Sequence, residues 1–217
     1  MNWALFILLL LLSLYMLIMI WVERSKVDEK LIAVIATLGT IAAVARVPFV
    51  FIPNVQPTTF LVMISGYVFG ARAGFLSGCL AAVLSNIFLG QGPWTLWQML
   101  SWGLAGASGG LLGWLLEKDK FQPLLASRGK KAMFVASCAI WGFIFDWIMN
   151  LWIFVGLGSF MNWKSFVALY AAGIPFDVLH ASGNLLFAVA FASTFARILS
   201  RYHRKLVVSR FDEGAAR

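Results

Sequence analysis

Long apolar runs, separated by short polar or Gly- and Pro-marked breaks, organise the whole chain. Trp3 to Val22 carries no charge and, at about 1.5 Å per residue, matches the roughly 30 Å hydrocarbon core of a bilayer. It lacks the basic leader and small-residue cleavage site of a signal peptide and reads as a retained span. Further runs cover Leu31–Val47, Thr58–Phe69, Ala73–Leu89, Pro93–Leu116, Ala132–Leu157 and Ile174 to about Leu199, with Thr58–Phe69 short for a crossing. Pro48, Pro53 and Pro57 predict a structured loop between the second and third runs. Trp163–Ala172 is too short to cross. Gly173 and Pro175 predict a break after it, making it an interfacial helix and placing Pro175 in the first turn of the last span.

Composition strengthens this picture. With 61% hydrophobic and 12% charged residues and a mean hydropathy of +0.87, the chain has more apolar surface than a soluble domain of 217 residues can bury. An all-α integral membrane bundle of about seven spans follows. The net charge of +8 suggests nucleic acid until its placement is read. All of the 17 Lys and Arg except Arg46 and Lys164 fall in alternate loops or the basic tail, which places the amino terminus outside and the carboxyl terminus in the cytoplasm. Nucleic acid is therefore not an expected partner; the bilayer is. Cys79 and Cys138 lie within apolar runs, so neither a disulfide nor a structural zinc site is expected, and no resident metal or cofactor is implied.

Gly66, Gly70, Gly74 and Gly78, with Gly106, Gly109, Gly110 and Gly113, have the spacing that lets helices approach closely, and the turn between the third and fourth runs is expected to hold Ala71, Arg72 and Ala73. Ala33, Ala36, Gly39, Thr40 and Ala43 cover more than one face of the second run, so docking of another subunit and internal packing both remain open for them.

Polar side chains within spans are costly and usually meet one another or a cavity. Asp146 and Asn150 share one helix face, as do Asp177, His180 and Asn184; Trp94, Gln98, Ser101 and Trp102 form a third stripe, and Trp97 lies beside it. Asn86 ends its run, and loops supply Asn54, Gln56, Gln91 and Asn162. On the inferred topology these groups converge toward the outer side, as expected for an outward-open pocket, walled by Trp, for a small polar organic solute. Taken singly, each is as well explained by an interhelical hydrogen bond.

From Val55 onward the chain resembles the substrate-binding S components of energy-coupling factor (ECF) transporters. The resemblance is carried by Val55-Gln56-Pro57, Gly70-Ala-Arg-Ala-Gly74, Gly90-Gln-Gly-Pro-Trp-Thr-Leu-Trp-Gln98 and Gly173-Ile-Pro-Phe-Asp-Val-Leu-His180 with Asn184. It implies a six-helix module at 30–200 that captures a vitamin or related micronutrient and works with a membrane coupling subunit and cytosolic ATPases. Residues 1–29 would be an extra span with a basic linker, and 201–217 a basic cytoplasmic tail. The resemblance also implies that Phe49–Gln56 lids the pocket and that the small residues from Ala33 to Ala43 dock the coupling subunit. Met1-Asn2-Trp3 does not supply the Met-x-His of metal-importing relatives. No phosphate-binding loop is present, so ATP must be hydrolysed by a partner.

Three other readings compete. Gly106-Ala-Ser-Gly-Gly110 with His180 suggests an intramembrane serine protease of rhomboid type, but helix rise puts Ser108 and His180 about 12 Å apart in depth. Asp146 and Asp177 raise an aspartyl protease, although neither follows the Gly-x-Gly of such enzymes. A non-transporting membrane scaffold would have no outward cavity and no solute.

Overall fold

A computed structural model describes residues 6, 9–10, 13–18, 20, 29–117, 124–160 and 162–215. Within them the protein is all-α, with no strand. Most of the first apolar run, Trp3–Val22, lies outside the described residues; those described in it are helical. Six helices follow: α1 (Glu29–Arg46), α2 (Thr58–Phe69), α3 (Ala71–Leu89), α4 (Trp94–Leu116), α5 (Arg128–Gly156) and α6 (Trp163–Ala215). All except α2 are long and apolar enough to cross a membrane.

The exception has a physical reason. Every residue of α2 from Thr58 to Val68 is buried, so protein surrounds this helix and it need not match the bilayer. Helix α4 packs against α2, α3 and α5, while α6 runs along α5 and touches α2. Backbones meet closely where glycines face each other: a Cβ on Gly66 or Gly74 would fall inside van der Waals contact with the Gly106 carbonyl oxygen. A Cβ on Gly70 would meet open space, although its backbone lies against Gly110. Gly70 joins α2 to α3 alone, at φ 94°, a conformation only glycine adopts freely, and the turn is therefore tighter than the three-residue one expected.

The expected break at Gly173 and Pro175 does not occur. Helix α6 is continuous from Trp163, with Pro175 inside it, so no separate interfacial helix exists. Proline removes one backbone hydrogen bond, whereas a full break would strip several and leave their groups without water. The same helix continues through most of the basic tail, to Ala215.

At the end where α2 and α4 finish, Glu117 accepts hydrogen bonds from the Tyr67 hydroxyl (2.5 Å), the Lys130 ammonium (2.6 Å) and the Leu125 N–H (2.9 Å). Burial pushes the Glu117 carboxyl up, but these donors outweigh it and the net shift is downward. One carboxylate thus ties α2, α4 and α5 together.

Candidate functional site

The opposite end of the bundle collects the polar residues. There α1 finishes on Arg46, and the Val47–Phe49 turn and a loop through Pro57 lead to α2. Arg46 donates from Nε to Gln56 Oε1 (2.7 Å) and from Nη1 to Ser85 Oγ and Asn86 Oδ1 (both 2.9 Å). Asn86 passes the chain on, donating to Gln98 Oε1 (2.7 Å) and Thr95 Oγ1 (2.9 Å), and Thr95 donates to Gln91 Oε1 (3.0 Å). The guanidinium lies over the Trp102 ring, 4.9 Å from its centroid.

Trp102 joins this network to a second one. Its Nε1–H donates to Thr59 Oγ1 (3.1 Å), which lies 3.0 Å from His180 Nε2. On the ring's other side, His180 Nδ1 is 3.2 Å from Asp146 Oδ2. An ionised carboxylate only accepts, so Nδ1 carries the proton; in the neutral ring Nε2 is the acceptor and the Thr59 hydroxyl donates to it. Asn54 donates to the same Asp146 oxygen (3.2 Å) and weakly to the Phe176 carbonyl (3.5 Å). It holds a left-handed φ of 56°, which asparagine tolerates better than most residues.

Asp177 stands one turn before His180 on α6. Its Oδ2 accepts from Trp147 Nε1 (3.1 Å), but its buried Oδ1 has no donor. Asn150 Nδ2 is likewise buried without an acceptor. Both border Gly173: a Cβ there would stand 2.8 Å from Asn150 Nδ2 and 3.5 Å from Asp177 Oδ1.

Comparison with family models matches the chain to the ECF transporter substrate-specific component over residues 30–192, about three quarters of its length. The chain belongs to that family. Comparison with curated proteins and with solved structures yields no match. S components are membrane transport subunits, which act with coupling and ATPase subunits, and they are not enzymes.

In this S component, the network brings together Asn54, Gln56, Asn86, Gln91, Gln98, Trp102, Asp146 and His180, with Asp177 and Asn150 beside it. Other expected members stand apart. Trp97 is buried on a different side of α4, packed with Trp152, Leu104 and the Tyr15 and Ile18 side chains that precede α1; the Tyr15 hydroxyl donates to the Leu96 carbonyl. Trp94 is exposed and folds back over Gly92. Asn184 lies deeper, spending its amide on the Cys138 carbonyl (3.1 Å) across α5 and α6. Asn162, at the start of α6, bonds locally to Ser165 and Phe160. The outward-open pocket expected from the sequence is not what these side chains form. They bond to one another; Asn86, Gln98, Trp102, Asp146 and His180 are buried and, without water, pair with their nearest polar neighbours, while Asn54 and Gln56 are half-buried and Gln91 is exposed.

Two cavities lie elsewhere. One of about 180 Å³ runs between α4 and α5 beside Ser108, Leu112, Ser137 and Trp141, and an apolar one of about 350 Å³ is lined by α1, α3 and α4. Ser108 donates to its own helix, to the Ala105 carbonyl (2.8 Å), while His180 is engaged with Thr59 and Asp146, so no serine–histidine dyad forms.

Arg46, Thr59, Ser85, Thr95 and Trp147 belong to the cluster but were not singled out from sequence. Arg46 carried a usable signal: with Lys164 it was one of two cations set apart from the basic loops, and it ends an apolar run.

Proposed function

We propose that this S component captures a vitamin or related micronutrient from outside the cell and delivers it inward with a coupling membrane subunit and two cytosolic ATPases. One observation carries the reading: polar groups from all six helices α1–α6 converge at one end of an apolar bundle, where hydrocarbon would otherwise exclude them. In this reading that end faces outward, the amino terminus lies outside and the carboxyl terminus in the cytoplasm. Residues 30–200 form the capture module. The Phe49–Gln56 loop lifts, and the solute replaces hydrogen bonds the side chains now make with each other.

The binding set is Asn54, Gln56, Asn86, Gln98, Trp102, Asp146, Asn150, Asp177 and His180, with Arg46 added. Docking of the coupling subunit is assigned to the exposed side of α1. Ala33, Ala36 and Thr40 face outward there, whereas Gly39 packs on Leu80 and Ala43 is buried. The test is to purify the protein from its own membranes, release any bound compound by heat and identify it by mass spectrometry. A micronutrient near one per protein is the expected result; protein that is folded and consistently empty would refute capture.

A further inference from the structure

From the charges left over in this cluster we infer the chemical class of the solute: a small organic anion whose other end presents N–H donors. The inference rests on the solute-capture reading above and specifies its chemistry.

Arg46 is the first half. Arg46 is half-buried, and a guanidinium partly withdrawn from water is costly unless an anion accompanies it. Its partners Gln56, Ser85 and Asn86 are all neutral, and Trp102 offers only the face of its ring. Among the described residues the ion pairs are Lys130–Glu117, at the other end of the bundle, and His180–Asp146. Asp146 is already engaged by His180 and Asn54. The cation is therefore held in shape by neutral acceptors on Nε and Nη1 and lacks a countercharge; a carboxylate or phosphate that displaces one of these acceptors gains the planar fork.

Asp177 is the second half. Its Oδ1 is buried and lacks a donor, and the neighbouring Asn150 Nδ2 is buried and lacks an acceptor. The two meet at Gly173, where the absence of a side chain lets the Asn150 amide come close: a Cβ would stand only 2.8 Å from its Nδ2 and 3.5 Å from Asp177 Oδ1. An orphaned acceptor beside an orphaned donor complements an amide, amidine or amino-heterocycle edge, which offers N–H and a lone pair together.

Aromatic rings separate the two halves. Arg46 lies on Trp102, Trp102 is 4.8 Å from Phe145, and Phe145 is 5.1 Å from His180, one turn from Asp177. A solute reaching both leftover groups must be elongated and bipolar. A purely cationic or uncharged one would leave Arg46 unbalanced.

The experiment uses full-length protein purified from its own membranes in detergent. The compound released by heat from the wild type is run on an anion exchanger at pH 7 and added back to emptied wild type, R46Q, R46K and D177N in a binding titration. We expect retention on the exchanger, at least tenfold weaker rebinding by R46Q and D177N, and an intermediate loss in R46K, which keeps the charge without the fork. Circular dichroism and the thermal midpoint of each emptied variant report folding, and the charge of the released compound decides the matter even if R46Q does not fold. A released compound without an acidic group, or R46Q and D177N that rebind it like wild type, overturns this inference and leaves capture standing. Folded wild type that releases nothing overturns both.

Discussion

At the scale of single residues, Trp102 does two things at once: its face carries Arg46 and its Nε1–H holds Thr59 in line with His180. Trp102→Phe keeps most of the ring and removes the donor, so it should lower stability by about 1 kcal/mol, the net worth of one such bond, and weaken rebinding of the released compound. Trp97→Ala makes the contrast. It should leave rebinding unchanged and instead loosen the Tyr15 and Ile18 contacts, seen as faster proteolysis ahead of α1; weaker rebinding in this variant would mean that the cluster has been drawn too narrowly. Glu117 gives a prediction in pH. Because its carboxyl is held below its ordinary value, its contribution is fully present above the unfolded pKa of about 4.3 and is lost as pH falls through the lower, folded value. Glu117→Gln should thus be less stable than wild type at neutral pH, by about 1–2 kcal/mol, with the gap closing in acid. A gap that stays constant down to pH 3 would contradict this account.

At the scale of helices, close glycine contacts between α2, α3 and α4 hold the polar end in register with the rest. Gly106→Leu would drive a side chain into the Gly74 backbone, so the expected result is poor yield and aggregation in detergent. Dispersed, thermally unaltered protein would show that these helices have slack. These elements also show what the chain alone makes legible. The bounds Thr58–Phe69 match the expected ones because Pro57 and Gly70 punctuate both ends, and Asp177, His180 and Asn184 share a buried stripe because helical periodicity is strong. Pro175 misled, since a proline signals a break only where water can take up the freed backbone groups. Trp97 misled for another reason: spacing puts residues on faces but does not say which neighbour each face meets. Arg46 stands out in sequence only as a cation set apart from the basic loops; its position over Trp102 depends on α1 packing on α2 and α3 so that its last side chain reaches α4.

At the scale of the whole molecule, the bundle has two differently built ends, and α1 exposes Ala33, Ala36, Thr37 and Thr40 between the larger Ile32, Ile41 and Val44. In the proposed reading the exposed Ala33, Ala36 and Thr40 take the coupling subunit; they share α1 with Arg46 but lie on its outward side, before the end that joins the polar cluster. Ala36→Trp should therefore abolish co-purification of the coupling subunit and ATPases while the released compound still rebinds normally. Loss of both together would mean that the two surfaces are not independent.

The segment from Val47 to Pro57 has three prolines and is fastened by Asn54 to Asp146 and by Gln56 to Arg46. In the proposed reading, a strap stiffened in this way swings as a piece, and both fastenings part before the solute enters. Uptake would then start at the pace of unfastening, with arrival by diffusion waiting on it. Asn54→Ala should shorten both the wait to bind and the time to leave in stopped-flow traces, trading residence for speed.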